Sequence, residues 1–436
     1  MLPHSLRATL DRVWDSVWSS GITNPLAVVE YLTAVLVLYG ASRVERTTRL
    51  ATEIRDAIAT GDGERARIGM SQLLTVHGLP PVEDAMFADV QLMARAVRSA
   101  AELAGDLRED VLGDCFEHVL SHLSTAGHFG QFRTPRHVVE FLVRAVDPKP
   151  HELVLDPACG TGGFLIEAHK HRGASQGGYK GDESDHTIAR IAHANLKMHS
   201  VDNFEIRKRD SLSDLAPEAD VILANPPFAG RVDGLRASVF RSRAMRSEIL
   251  FVELAVHRLV PGGRVGMVVP FGLLTNNSRP AVFIRKMLIE EHWVQTIVEL
   301  PAGTFRPYTD VKTALILWSA RRNPDGSILM LKARTDGFTL DDRRSPIDDN
   351  ELDELLPAVM SGEEALIPRP GMGRRVPISE LAEDHYSLNP SRCLGAGLPT
   401  VERLPSVETS ASEVVSSAER LRDILRAIER EIGVIR

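Results

Sequence analysis

From about residue 150 onward, short runs typical of β-strands alternate with helical stretches, and this alternation constrains the fold most. The strand-like runs are LVLD (153–156), GYKGDE (178–183), NFEIRKRD (203–210), VILAN (221–225), GRVGMVVP (263–270), TIVELP (296–301) and TALILW (313–318). The helical stretches between them cover residues 164–171, 186–199 and 248–260. Strands that alternate with helices form a mainly parallel sheet with helices on both faces. We therefore expect an α/β fold whose ligands bind beyond the carboxyl ends of the strands.

The rest of the chain predicts helices on either side of this sheet. Apolar residues recur at helical spacing before residue 125, and Asn24-Pro25 is typical of a helix start. We expect four parts: 1–125 (α-helical N-terminal domain), 126–330 (catalytic domain), 331–405 (C-terminal extension) and 406–436 (linker and coiled-coil-like helix). In the last part, apolar residues alternate four and three apart, a spacing that favours packing on a partner or, alternatively, on the chain's own core.

Composition excludes several classes of protein. The net charge of −8 argues against a surface that binds nucleic acid everywhere, although a local basic patch stays possible. The three cysteines form no CxxC pair, so we expect neither a disulfide framework nor a metal site, and a cytoplasmic location fits. The most apolar stretch, 26–39, contains Glu30 and is too short to cross a membrane.

The loops after the first three predicted strands carry the residues of a nucleoside site. Asp156 and Thr161-Gly162-Gly163 follow the first strand and open a helix, where glycine lets the backbone approach a ligand closely. The loop matches neither GxxxxGK[ST] nor GxGxxG, which disfavours ATP and dinucleotides. Glu183 and Asp210 end the next two strands, and such acids bind ribose hydroxyls and an exocyclic amine. S-adenosyl-L-methionine fits this set; the alternative is that both acids are merely solvated.

The fourth strand ends in Asn225, Pro226, Pro227 and Phe228, which predict a pocket for an amino group. The side-chain oxygen of Asn225 and the carbonyl of Pro226 can accept both N–H groups of a nucleobase amine, which makes its nitrogen more nucleophilic. Proline fixes the turn, and Phe228 can stack on the base. A base inside a duplex must be flipped out to reach such a pocket. The alternative is an ordinary Asn-Pro turn after a strand.

In order along the chain, DPACGTGGFL, GDES, RDSL and NPPF resemble motifs of the amino-group DNA methyltransferases. More specifically, they resemble the modification (M) subunit of type I restriction–modification systems, as do GITNPLAVVEYL (21–32), 300–318, 336–347 and 385–394. GQFRTPRHVVEFLVRAVDP (130–148) precedes the glycine loop, which is the motif order of adenine-N6 enzymes. Thr134-Pro135 predicts an N-cap and a first-turn proline for a helix in that segment.

The resemblance implies a Rossmann-like S-adenosylmethionine-dependent methyltransferase fold with a doubly wound sheet and a C-terminal helical tail. It implies catalytic residues Asn225, Pro226, Pro227 and Phe228. It implies that the cofactor contacts Gln131, Phe132, Arg133, Thr134, Pro135, Arg136, Asp156, Thr161, Gly162, Gly163, Glu183 and Asp210. Arg133 departs from the family, which more often has a second aromatic residue there, and this change is expected to loosen or alter the cofactor lid.

The function implied by the resemblance is site-specific adenine-N6 methylation of double-stranded DNA. A separate specificity (S) subunit would choose the site, two copies of the modification subunit would join one copy of it, and restriction would need another chain. The sequence leaves other interpretations open: a cytosine-N4 or protein-glutamine methyltransferase, and a non-catalytic scaffold that holds the cofactor. Arginines at 231, 236, 241, 243 and 246 either bind phosphates near the flipped base or form a solvated loop.

Overall fold

The structure is a computed structural model. It describes residues 2–19, 22, 24–40, 45–80, 90–101, 109–125, 134–173, 176–228, 230–291, 294–321 and 326–394. Two compact units are distinguished, Met1–Cys393 and Leu394–Arg436. The predicted C-terminal helix and three predicted site residues, Gln131, Phe132 and Arg133, lie outside the described residues.

The helices begin and end as follows. They are α1 (His4–Trp18), α2 (Pro25–Gly40), α3 (Glu45–Thr60), α4 (Gly63–Val76), α5 (Val90–Ser99), α6 (Glu109–Thr125), α7 (Arg136–Val146), α8 (Gly163–Arg172), α9 (His186–Met198), α10 (Gly234–Ala237), α11 (Ser247–Arg258), α12 (Phe271–Thr275), α13 (Arg279–Glu290), α14 (Glu351–Glu354), α15 (Leu356–Ser361), α16 (Ile378–Glu383) and α17 (Pro390–Cys393). Within the described ranges, no helix combines the length and the apolarity needed to span a membrane.

The described strands form one sheet with the order β3-β2-β1-β4-β5-β7-β6-β8-β9. They are β1 (Val154–Asp156), β2 (Tyr179–Glu183), β3 (Phe204–Lys208), β4 (Ala219–Ala224), β5 (Leu259–Pro270), β6 (Val294–Glu299), β7 (Thr313–Ser319), β8 (Ser327–Lys332) and β9 (Gly373–Pro377). Strands β1 to β5 pair in parallel, and β7 runs antiparallel to both β5 and β6. The predicted mainly parallel α/β sheet is confirmed.

Helices cover both faces of the sheet, and successive residues of a strand therefore pack against different helical layers, because their side chains point to opposite faces. On β4, Val221 and Leu223 lie in the buried cluster that includes α7 and α8. Ile222 and Ala224, between them in sequence, lie in the buried cluster that includes α11 and α13. Because both faces of β4 are buried, its sequence is a continuous apolar run, and its carboxyl end is held rigidly between two helical layers.

The N-terminal helices pack on helix α9 of the sheet region. Their buried cluster includes Ile188 and Ile191 of α9. An ion pair at 2.9 Å joins Glu30 of α2 to Arg190 of α9, and both side chains are largely buried. The Nδ2 atom of Asn195 donates to Glu117 of α6 at 3.1 Å. The helical character expected before residue 125 is confirmed, whereas the predicted domain boundaries stay predictions.

Three details of the sequence analysis need correction or addition. Strand β9 extends the sheet within the segment that was expected only as an extension (331–405), and strand β8 crosses the predicted boundary after residue 330. At the start of α7, Pro135 occupies the N-cap position with no side-chain cap bond, so the prediction that Thr134 caps this helix is wrong. At the start of α2, by contrast, the side chain of Asn24 accepts from the Leu26 N–H at 3.0 Å, as a cap does.

Candidate active site

The predicted site residues follow four neighbouring parallel strands and so meet at one edge of the sheet. Asp156 ends β1 and Glu183 ends β2, while Asp210 and Asn225 follow β3 and β4. Strand β1 lies between β2 and β4, with the chain running outward to β3 on one side and to β5 on the other. This reversal opens the crevice in which doubly wound sheets bind their ligands.

The glycine loop turns sharply from β1 into helix α8. Gly160 and Gly162 have φ values of +51° and +87°, a region that side chains disfavour. A Cβ atom on Gly162 would lie 2.5 Å from Leu196 Cδ1, whereas a Cβ on Gly163 would meet no atom of the described residues within 4 Å. Gly162 is therefore required for packing against α9, and Gly163 borders open space at the N-terminus of α8, where free N–H groups attract a carboxylate.

The side chain of Asn195 on α9 holds the glycine loop from behind. Its Nδ2 atom donates to the Thr161 carbonyl at 2.8 Å and to Glu117 at 3.1 Å. One buried amide thus connects the predicted cofactor loop to helix α6. Sequence reasoning missed Asn195, because nothing in the spacing of an interior helix residue indicates which loop it contacts.

Asp156 is almost completely buried beneath the loop, with 1% of its surface exposed. Its Oδ1 atom accepts from the Ala158 N–H at 3.0 Å. Burial raises the pKa of Asp156 to about 8; the Ala158 hydrogen bond opposes this, and the nearby Glu183 and Asp182 charges add to it. The carboxyl group therefore fixes the loop as a hydrogen-bond acceptor. A cationic ligand group beside it would lower its pKa and favour its ionised form.

Glu183 is a structured acid and not a solvated one. It is 7% exposed. Its Oε2 atom accepts from the Gly160 N–H at 3.2 Å, and its Oε1 atom accepts from the Asp185 N–H at 2.8 Å. These bonds orient the carboxylate toward the glycine loop. Each oxygen keeps lone-pair capacity, so the ribose role expected from the sequence fits its position.

The neighbouring Asp182 anchors the end of β2 from the other face. It is fully buried and receives hydrogen bonds from Arg207 at 2.7 Å, Arg258 at 2.6 Å and Ser211 Oγ at 3.2 Å. Arg258 is itself fully buried and also pairs with Glu218. Removing one partner from such a buried network would leave an uncompensated charge, which is strongly unfavourable. The network therefore holds this edge of the sheet in one arrangement.

Asp210, the predicted partner of the adenine amine, is already engaged by an arginine. Its Oδ1 atom accepts from the Leu212 N–H at 3.1 Å, and its Oδ2 atom pairs with Arg236 Nη1. Both side chains are substantially exposed, at 35% for Asp210 and 59% for Arg236. The ion pair is therefore weak and can open to admit a ligand amine.

Asn225 has the geometry of a preorganised acceptor. Its Nδ2 atom donates to Thr134 Oγ1 at 2.9 Å, across 91 residues of chain. Its Oδ1 atom is buried and, among the residues that the structure describes, has no hydrogen-bond partner. A buried polar atom without a partner costs free energy, so an unsatisfied oxygen at this position calls for a donor from a ligand. Sequence reasoning predicted Asn225 but missed this bond.

The double proline and the aromatic residue complete the turn. Pro226 is buried and Pro227 is exposed, while Phe228 is half-buried against the cluster that contains α7. Ser247 Oγ, at the start of α11, donates to the Pro227 carbonyl at 2.9 Å and so holds the turn in place. The aromatic ring is left with a partly exposed surface, on which a planar base can stack.

Thr134 and Pro135 lie directly before helix α7, which begins at Arg136, and Thr134 contacts the predicted site residue Asn225. Arg136 is exposed and forms an ion pair with Glu140 one turn along the helix, at 2.7 Å. The next residue, His137, forms a hydrogen bond through its Nε2 atom with Oδ2 of the buried Asp336, at 3.0 Å. Helix α7 is therefore anchored by the 336–347 segment, and Arg136 lies on its solvent side.

The arginine-rich segment 231–246 follows the Asn225 turn and is mostly paired. Besides the Arg236–Asp210 pair, Arg241 contacts Glu291 at 2.8 Å and Arg246 contacts Glu248 at 3.4 Å. The same segment exposes three apolar side chains, Leu235 at 84%, Val239 at 60% and Met245 at 43%. It is therefore both basic and apolar at its surface, which is unusual for a simple solvated loop.

A family model, related proteins and solved structures match this chain. A family described as N-6 DNA Methylase matches residues 107–397. The EcoEI methylase subunit of a type I restriction enzyme from Escherichia coli is 30% identical over 354 residues, which is 73% of this chain and 69% of the relative. The EcoKI methylase subunit from Escherichia coli K12 is 29% identical over 46% of this chain and 42% of its own length.

Solved structures show the same fold. A chain from a study of complex assembly in a type I R-M system is 25% identical, has a TM-score of 0.70, and covers 99% of this chain and 98% of its own. The type I methyltransferase subunit from Streptococcus thermophilus also has a TM-score of 0.70, at 20% identity, over 89% of this chain and 98% of its own.

Proposed function

The chain belongs to the N-6 DNA methylase family, as a methyltransferase of the type I modification-subunit class, and we propose that it transfers a methyl group from S-adenosyl-L-methionine to adenine N6 in DNA. The observation that carries this proposal is the Oδ1 atom of Asn225, which is buried and accepts no hydrogen bond from the described part of the chain. It lies in the loop after β4, beside the glycine loop and the strand-end acids.

The cofactor fits the residues at the carboxyl edge of the sheet. The N-terminus of α8 and the open space beside Gly163 suit the carboxylate end of an amino acid, Glu183 suits ribose hydroxyls, and Asp210 suits the adenine amine. Thr134, Pro135 and Arg136 belong to the segment that would close over the methionine end, together with residues 131–133. When bound, S-adenosyl-L-methionine would supply an electrophilic methyl group on a sulfonium.

The chain's own residues would prepare the substrate nitrogen. Asn225 Oδ1 accepts one N–H of the adenine amine, and the Pro226 carbonyl accepts the other, so the nitrogen lone pair is drawn out of the ring. Thr134 fixes the rotation of the Asn225 amide, because it takes up Nδ2 and leaves Oδ1 for the substrate. Acceptors held this way need no reorganisation during the reaction. Phe228 stacks on the flipped base.

The DNA and protein partners of this chain follow from its relatives, which are named as methylase subunits of type I restriction enzymes. We infer double-stranded DNA as the substrate, one specificity subunit that selects the site, a second copy of this chain in the same assembly, and a restriction subunit where cleavage occurs. The segment 231–246 would contact the DNA beside the flipped adenine, with arginines for phosphates and Leu235 for an apolar contact. A cytoplasmic location follows from that substrate.

The test is the transfer of a radiolabelled methyl group from S-adenosyl-L-methionine to DNA. The chain is assayed alone and with the specificity subunit encoded beside it, and the product is digested to nucleosides. The proposal predicts label in N6-methyladenine when the partner is present. Label in N4-methylcytosine would overturn the assignment of the base, and bound cofactor without any transfer would favour a scaffold.

A further inference from the structure

A cluster of two histidines and one aspartate lies where α1 packs against α6, outside the active site. Asp11 Oδ1 is 2.7 Å from His118 Nε2 and 3.0 Å from His122 Nε2. Among the described residues, these three side chains place one potential metal-binding atom each within 4.8 Å of one another. The methyl-transfer reaction gives this cluster no role.

Both helices hold the three side chains in fixed positions. His118 and His122 are one turn apart on α6 and so share a face of that helix. Asp11 comes from α1, whose Trp14 stacks on the His122 ring with centroids 4.6 Å apart and planes inclined by 16°. Trp14 and the neighbouring Phe116 are themselves buried in the helical core. The donors are therefore held by packed helices, which suits a preformed site.

The donor set is the one that borderline divalent transition metals prefer. Two imidazole nitrogens and one carboxylate oxygen bind Zn²⁺ in three-ligand sites, with water in the fourth position. At Zn–ligand distances of about 2.0–2.1 Å, tetrahedral ligands lie about 3.4 Å apart. The Asp11–His118 distance of 2.7 Å must therefore widen by about 0.7 Å and the Asp11–His122 distance of 3.0 Å by about 0.4 Å, which side-chain rotation allows. All three side chains are partly exposed, so water and ions can reach them.

We propose that Asp11, His118 and His122 bind one divalent transition-metal ion, with Zn²⁺ as the expected occupant, and that this ion clamps α6 to α1. This departs from the expectation drawn from the cysteines, because the ligands are histidine and aspartate brought together from two helices. The inference does not rest on methyl transfer. Its competitor is a plain hydrogen-bonded arrangement in which one carboxylate oxygen serves two imidazoles.

The clamp has a structural consequence for the cofactor side of the fold. Glu117, next to His118 on α6, accepts from Asn195, which also holds the Thr161 carbonyl of the glycine loop. An ion that fixes α6 would thus stabilise the helix whose Glu117 holds Asn195, and Asn195 on α9 in turn contacts the glycine loop. We expect the effect as a rise in thermal stability of the full chain on addition of metal.

The test uses the full chain, freed of any purification tag and stripped with a chelator, then titrated with Zn²⁺ and separately with Co²⁺ by calorimetry. Asp11→Asn, His118→Gln and His122→Gln remove one ligand each, and His4→Gln is the matched control, since His4 is an exposed histidine of the same helix α1. Altering even a residue that only supports a ligand weakens metal binding by ~10–100-fold, so each ligand variant should lose at least as much.

The expected result is one ion per native chain, a melting temperature raised by Zn²⁺, and both effects lost in the ligand variants but retained in His4→Gln. The proposal is overturned if the native chain binds no ion, or if the His118 and His122 variants bind as tightly as the native chain. Circular dichroism checks the fold of each variant. Asp11→Asn, which retains an oxygen that can accept from an imidazole N–H, carries the test should a histidine variant fail to fold.

Discussion

Replacing Gly162 by alanine should destabilise the folded chain without touching any catalytic group. The residue has a φ of +87°, and the new Cβ would lie 2.5 Å from Leu196 Cδ1. The left-handed backbone costs about 1–2 kcal/mol and overpacking about 1–3 kcal/mol, so the free energy of unfolding should fall by about 2–5 kcal/mol. Because the fully buried Leu196 side chain must turn, or α9 and the loop must shift, to admit the new methyl group, cofactor affinity should fall as well.

The matched control is Gly163→Ala, one residue further along. Its Cβ would meet nothing within 4 Å, and the residue begins helix α8. The variant should keep its stability within about 0.5 kcal/mol, since no contact is disturbed. Its cofactor affinity should nevertheless fall, because the methyl group enters the space assigned to the ligand. Thermal denaturation and calorimetric titration with S-adenosyl-L-methionine measure the two effects. Equal stability of the Gly162 variant and the native chain would refute the reasoning.

Three further predictions concern the acids and the amide of the site. Thr134→Val removes the acceptor of Asn225 Nδ2 and should slow single-turnover methyl transfer by about 2–10-fold, the value of one hydrogen bond, while Thr134→Ser restores it; a valine variant as fast as the native chain would contradict this. The folded chain keeps Asp156 protonated up to about pH 8, whereas the unfolded value is about 3.9. The free energy of unfolding of the native chain should therefore fall as pH rises between these values, and Asp156→Asn should escape that loss. The prediction would be refuted if the melting temperatures of the native chain and the variant differed by the same amount at every pH. Arg236→Ala frees Asp210 from an exposed ion pair worth about 0.2–1 kcal/mol and should tighten cofactor binding by up to about 5-fold. The control is Arg241→Ala, which breaks a pair with Glu291. An equal effect of both variants on cofactor binding would argue against the role of Asp210.

The sheet could be predicted from the sequence because its strands are short, apolar and separated by regular helices. The runs at 153–156 and 221–225 correspond to β1 and β4 within one or two residues. Strands β8 and β9 were both missed. The SILMLK run of β8 is apolar and buried, so its composition did offer a signal. By contrast, β9 (GRRVP), at the edge of the sheet, has no apolar period and is defined by its pairing with β8. Tertiary pairing decides such segments, and local propensity does not.

Four site residues could be predicted because each ends or follows a strand: Asp156, Glu183, Asp210 and Asn225. Thr134 and its neighbours before the first strand were expected from the family resemblance, and the contacts of both groups could not be predicted. Thr134 was expected to cap a helix and instead holds Asn225, since Pro135 takes the cap position. The pairing of Asp210 with Arg236 joins residues 26 apart that no motif connects. Side-chain contacts of this kind depend on how loops from different strands meet at the sheet edge. Even so, the roles of the individual cofactor residues stay predictions.

The measurement that tests the central claim most directly compares cofactor binding and methyl transfer in Asn225→Ala, with the specificity partner present. The account predicts native affinity for S-adenosyl-L-methionine, because Asn225 contacts Thr134 and faces the base pocket. It also predicts a loss of transfer of about 10²–10³-fold, as for removal of one preorganised polar group. Transfer to adenine N6 at the native rate would contradict the claim that Asn225 Oδ1 activates the amine.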